Sequence, residues 1–78
     1  MFLEIISPDK KIFSGEVTSV TLPGTDGSLG ILANHAPIIT TLQKGTIKIV
    51  EASNASQSFD VKGGVAEVQN NKIIVLAD

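Results

Sequence analysis

Apolar and polar residues alternate with a period of two along nearly the whole chain, and apolar residues recur nowhere at the three-to-four spacing of an amphipathic helix. That pattern restricts the fold to an all-β one. Phe2 to Ile6 reads as a first strand, with Leu3 and Ile5 on one face and Phe2, Glu4 and Ile6 on the other. Ser7-Pro8-Asp9-Lys10 has the composition of a turn. A short strand through Ile12 and Phe13 follows, and after Gly15 a further strand runs from Glu16 to Leu22. Val17 lies out of phase with Val20 and Leu22, which predicts a bulge or two half-buried faces there.

Pro23 and Gly24 end that strand, and Asp26-Gly27 is a hairpin signal because glycine accepts a positive φ. The hairpin leads into Ser28 to Leu32, and Ala36, preceding Pro37, is expected to be extended. Ile38 to Leu42 and Thr46 to Ala52 form two strands joined through Gln43-Lys44-Gly45, with Ile47 and Ile49 facing inward. Ser53 to Ser56 reads as a polar turn. Ser58 to Lys62, Val65 to Gln69 and Lys72 to Ala77 complete the series, the last two joined by Asn70-Asn71, a pair suited to a type I′ turn. Eight or nine short, mostly antiparallel strands with two apolar faces to bury are best satisfied by a flattened sandwich or barrel.

The chain of 78 residues is expected to be one domain covering residues 1–78. A fold of this size buries only about 60% of the surface its unfolded chain exposes. Cysteine is absent, so no disulfide adds to its stability, and part of that stability is expected to come from a partner. With Phe2, Phe13 and Phe59 as the only aromatics, the core must be aliphatic. No apolar run approaches the ~20 residues of a membrane helix, and Met1-Phe2-Leu3-Glu4 lacks the basic start of a secretory signal. An intracellular protein is therefore expected.

Six lysines against eight acidic residues give a net charge of −2, and there is no arginine. Nucleic-acid binding relies on clustered basic side chains and stacking aromatics, so it is excluded as the main role. Catalysis finds few groups to use. His35 is the only imidazole, no cysteine is available, and no serine has an evident base, so His35 reads as a loop histidine bonded to backbone or packed at an interface. Asp26 with His35 supplies at most two metal ligands where zinc needs three or four. Gly24, Gly27 and Gly30 would suit a phosphate loop only if a helix followed, and the pattern downstream is strand-like. Neither a cofactor nor a metal is expected.

Leu22-Pro23-Gly24, then Asp26-Gly27-Ser28-Leu29-Gly30-Ile31-Leu32 and Asn34-His35-Ala36-Pro37, closely resemble the ε subunit of rotary ATP synthases. Phe13-Ser14-Gly15 before this tract matches the same family, as do Gly63-Gly64-Val65-Ala66-Glu67-Val68 and Val75-Leu76-Ala77-Asp78 after it, so the likeness spans the chain. The resemblance implies a two-sheet β-sandwich of about ten short strands. It also implies a non-catalytic rotor subunit of the central stalk that binds γ and the polar loops of the c ring. Through these contacts it would couple proton flow to ATP synthesis, touch the catalytic α/β head only indirectly, and sit at the cytoplasmic face of a bacterial plasma membrane.

By position, Asp26, Gly27, Ser28, Leu29, Gly30, Ile31 and Leu32 match the family's ring-facing surface, while Ser7, His35, Ala36, Pro37 and Thr40 match its γ-facing side. Leu29, Ile31 and Leu32 also read as core residues, and Gly30 as a backbone requirement. Two departures stand out. Relatives often carry an acidic residue where Ser28 stands, which leaves Asp26 to supply any charge toward the ring. Most bacterial relatives also continue beyond Val-Leu-Ala-Asp into two helices that inhibit ATP hydrolysis. With 78 residues as the natural length, the expectation is a subunit that couples but lacks that inhibitory arm.

Overall fold

A computed structural model describes all 78 residues. They form eight strands and no helix: β1 (Phe2–Ile6), β2 (Lys11–Gly24), β3 (Gly27–Leu32), β4 (Ile38–Leu42), β5 (Gly45–Glu51), β6 (Ser56–Val61), β7 (Gly64–Gln69) and β8 (Lys72–Ala77). The all-β expectation holds, with eight strands in place of about ten.

Eight lies within the eight or nine strands that the alternation gives, and the difference from nine comes from β2. Two strands were expected to part at Gly15, and the structure has one continuous strand of 14 residues. Gly15 does not break it because its backbone is paired with Leu3 of β1. At ~3.3 Å per residue a straight strand of that length would span about 43 Å, whereas the longest dimension of the molecule is 27 Å. β2 must therefore bend. It does so at two irregularities, one opposite the Ile5/Ile6 step of β1 and one between Val17 and Ser19 against β5. The second accounts for the phase slip at Val17, since a bulge turns the next side chain to the other face.

The bend makes β2 the corner of a flattened barrel. Its first half pairs with β1, and its second half pairs with β5 on one edge and β3 on the other. From β1 the ladder continues to β8, β7 and β4, then returns to β2 through a single bridge between Leu42 and Gly24. Most pairings are antiparallel. The exception joins the first strand to the last, as β1 and β8 run parallel from Phe2 opposite Lys72 to Ile6 opposite Leu76. A parallel pair needs a long connection, and here almost the whole chain supplies it.

The remaining elements differ from expectation by a residue or two. β5 begins at Gly45 and ends at Glu51, Ser56 and Gln57 join β6, and Gly64 joins β7. The Asn70-Asn71 turn has φ of 53° and 60°, as a type I′ hairpin requires. Fifteen apolar residues form one buried cluster, including Leu3, Ile5, Leu22, Ile31, Ile47, Ile49, Ile73 and Val75. It is aliphatic throughout, and no polar side chain is buried within it. The rings of Phe13 and Phe59 close one margin with centroids 5.7 Å apart.

Candidate functional interface

Strand alternation should leave β7 and β8 with one apolar face inward and one polar face outward. Ile73-Ile74-Val75-Leu76 breaks that rule, because both faces of β8 are apolar. Ile73 and Val75 are buried in the core. Ile74 and Leu76 point to the other side, where Ile74 stands opposite Glu67 of β7, and Glu67 stands opposite Ile39 of β4. One register step away, Leu76 faces Val65. Ile39, Val65, Ile74 and Leu76 thus surround Glu67 and line a shallow depression on the outer face of β4, β7 and β8.

Ile39 is 72% exposed, Leu76 55% and Val65 39%, which makes this face the site of three of the molecule's four exposed large apolar side chains. Isolated exposed apolar residues are ordinary, but several contiguous ones on a sheet face mark a contact surface. Charged groups border it. Lys72 places its ammonium 5.7 Å from the centre of the Phe2 ring, and Lys11 Nζ lies 3.0 Å from Glu4 Oε2. A strand apolar on both faces is the normal signature of burial on both sides, and the run from Ile73 to Leu76 was the available sequence signal for this surface.

The tract from Asp26 to Leu32 divides into a tip and an edge. Thr25 and Asp26 make the hairpin turn, with Gly27 at φ +129° closing it. The Thr25 N–H donates to the Thr41 carbonyl at 3.0 Å and the two threonine hydroxyls lie 2.8 Å apart, fixing the tip to β4. Asp26, Gly27 and Ser28 are exposed there. Ile31 is fully buried and Leu29 packs against the core, so these two serve the interior, as their alternative reading had it. Leu32 is 65% exposed. Gly30 does not answer a backbone requirement: its φ is not positive, and a Cβ added to it would meet nothing within 4 Å.

The second predicted set, Ser7, His35, Ala36, Pro37 and Thr40, does not form one patch. His35 sits in the loop after β3, where its N–H donates to the Leu32 carbonyl at 3.3 Å and its Nδ1 lies 2.7 Å from the Ala36 carbonyl. A carbonyl only accepts, so Nδ1 is the donor in this contact. The loop is secured by the Asn34 N–H, which donates to Asn71 Oδ1 at 2.8 Å. Ser7 lies at the other end of the sheet, beyond Ile6, which pairs with Leu76. From Lys72 to Leu76 is about 13 Å along β8. Ser7 is engaged in its own turn, donating from Oγ to the Lys10 carbonyl at 3.1 Å. Thr40 shares the inward side of β4 with Leu42, so its neighbour Ile39, not Thr40, reaches the outer face. No group of three or more His, Cys, Asp or Glu side chains converges anywhere.

The family model described as the beta-sandwich domain of the ATP synthase delta/epsilon chain matches residues 1–78. Among curated proteins, the ATP synthase epsilon chain of Bordetella petrii is 45% identical over 76 residues, covering 97% of this chain and 54% of that protein. The epsilon chain of Chlorobium limicola is 42% identical over 76 residues, covering 97% of this chain and 86% of that protein. Among solved structures, a chain of the Tetrahymena thermophila mitochondrial ATP synthase central stalk and c ring superposes with a TM-score of 0.80 at 25% identity, covering 99% of this chain and 62% of that one. The chain spans about half the length of the Bordetella relative.

Proposed function

Because this chain belongs to the β-sandwich family of the ATP synthase delta/epsilon chain, we propose that it is a non-catalytic rotor part of the central stalk, held between γ and the c ring. The observation that carries this reading is the apolar outer face of β4, β7 and β8, a contact surface left uncovered in a domain with little core to spare. We assign that face, together with the adjoining loop of His35, Ala36 and Pro37, to γ. The exposed hairpin tip of Asp26, Gly27 and Ser28 is assigned to the ring. Contact with the α/β head would be indirect, and the domain would sit at the cytoplasmic face of a bacterial plasma membrane.

A part that transmits torque needs stiffness between its two contacts. β2 supplies it by belonging to both sides of the barrel, so the sheets cannot slide past one another without breaking its pairing. The tip is joined to the γ-facing strand by short steps: Gly24 bridges Leu42, and Thr25 is bonded to Thr41, two residues from Ile39. Force applied at Asp26 therefore reaches β4 through hydrogen bonds, without passing through a flexible segment.

Calorimetric titration of γ with this chain tests the proposal. Binding at micromolar affinity or tighter is expected, with the negative heat-capacity change that accompanies apolar burial. A folded domain that neither binds γ nor migrates with it would contradict the reading.

A further inference from the structure

β3 and β6 are strands that pair on one side only, β3 with β2 and β6 with β5. A free edge presents unpaired N–H and C=O groups to any passing strand, and proteins ordinarily protect such edges with charge, proline, a bulge or a covering element. β6 is protected. It carries Asp60, whose carboxylate accepts from the Thr46 hydroxyl at 2.9 Å, and a polar start of Ser56, Gln57 and Ser58. β3 is not: Gly27–Leu32 contains no charged residue and no proline, its register against β2 is unbroken, and β2 is the one strand it packs along extensively.

Two side-chain facts point the same way. Gly30 serves no backbone or packing need inside the domain, and glycine within a strand often marks a place where another backbone or a large side chain comes close. Two residues on, along the same outward side, Leu32 is 65% exposed. A bare glycine beside an exposed leucine leaves a notch into which a bulky apolar side chain from a neighbouring strand fits, as aromatic residues cover edge glycines across a strand pair. The notch is continuous with the loop assigned to γ, since the Leu32 carbonyl accepts from the His35 N–H.

We infer that the free edge of β3 from Leu29 to Leu32, beyond the tip assigned to the ring, is a strand-addition site, taking an extended segment of γ whose bulky apolar side chain seats over Gly30 against Leu32. Backbone hydrogen bonds would supply the attachment and the notch would set the register. The identity of the partner rests on the rotor reading above; the mode of contact rests on β3 alone.

The test is amide hydrogen exchange of the chain, free and saturated with purified γ, together with the affinity of Gly30→Val for γ. Valine at this position meets open space and suits a strand, so the variant should keep the wild-type melting temperature. The expected result is new protection of β3 amides that exchange rapidly in the free chain, and at least tenfold weaker binding by Gly30→Val. Tight γ binding with β3 amides still fast and Gly30→Val unaffected would overturn the inference and leave the rotor reading intact. Failure of γ to bind the wild-type chain would overturn both. Protection of β3 that follows the chain's own concentration without γ would identify a second copy as the occupant and overturn the inference.

Discussion

Gly64→Ala should be among the most damaging single substitutions in this domain. Gly64 has φ +142°, and a Cβ built on it would lie 2.2 Å from the Leu76 carbonyl oxygen and 3.0 Å from Ala77 Cα. Carbon rarely approaches a carbonyl oxygen closer than about 3.3 Å in a sheet, so the two strands would have to separate by about 1.1 Å. β8 cannot retreat, because it is held on its far side by β1. A hydrogen bond of ~2.9 Å stretched by that amount is lost, and losing about two costs roughly 2 kcal/mol. Strain at the positive φ adds about 1–3 kcal/mol, for a total near 3–5 kcal/mol. A domain of this length has a stability of about 4–12 kcal/mol, and at ~4–8 °C per kcal/mol the melting temperature should fall by at least about 12 °C. Urea and thermal denaturation followed by circular dichroism measure this, with Gly30→Ala as the control expected to change stability by less than ~1 kcal/mol, since its Cβ meets nothing within 4 Å. Gly64→Ala within ~1 kcal/mol of wild type would refute the reasoning.

Leu22 is fully buried, so Leu22→Ala should lower stability by about 2–5 kcal/mol through lost burial and a residual cavity, read from the urea midpoint at unchanged slope. Ile39→Asp removes an apolar side chain from the outer face and sets a second carboxylate opposite Glu67 without disturbing the core; γ binding should weaken by roughly 30-fold or more, while the melting temperature stays near wild type. Asp26→Asn should weaken attachment to the c ring and reduce its dependence on salt, measured by ring co-sedimentation between low and high ionic strength. The Lys11–Glu4 ion pair is 3.0 Å long with Lys11 more than half exposed, so Lys11→Ala should cost less than ~1 kcal/mol, checked in the same urea titration.

Turns were the most legible part of the fold in sequence, because their chemistry is local. Gly27 and Asn70-Asn71 announce their hairpins by tolerance of positive φ, and Lys72 to Ala77 emerged with its bounds as expected. The continuity of β2 was not legible. Gly15 reads locally as a break, and only pairing with Leu3, twelve positions earlier, keeps it extended. The hairpin tip was legible as a candidate contact, yet the second set was not resolved into its parts. The parallel pairing of β1 with β8 sets Ser7 far from His35, and it joins residues about 70 positions apart that no local pattern connects. Thr40 could have been placed by alternation, since it shares parity with buried Leu42. The outer face was written in the unbroken apolar run from Ile73 to Leu76, where one stripe of side chains has no internal partner.

The claim that the outer face of β4, β7 and β8 docks on γ is tested most directly by cysteine protection, and the absence of natural cysteine makes the experiment clean. Single substitutions Ile39→Cys and Leu76→Cys report on the proposed interface, and Ser58→Cys on exposed β6 reports on the opposite side of the barrel. With γ added, maleimide labelling at Ile39→Cys and Leu76→Cys should slow by at least tenfold while Ser58→Cys reacts at its free rate. Unchanged labelling at both interface positions in a complex that demonstrably contains γ, or protection confined to Ser58→Cys, would contradict the account.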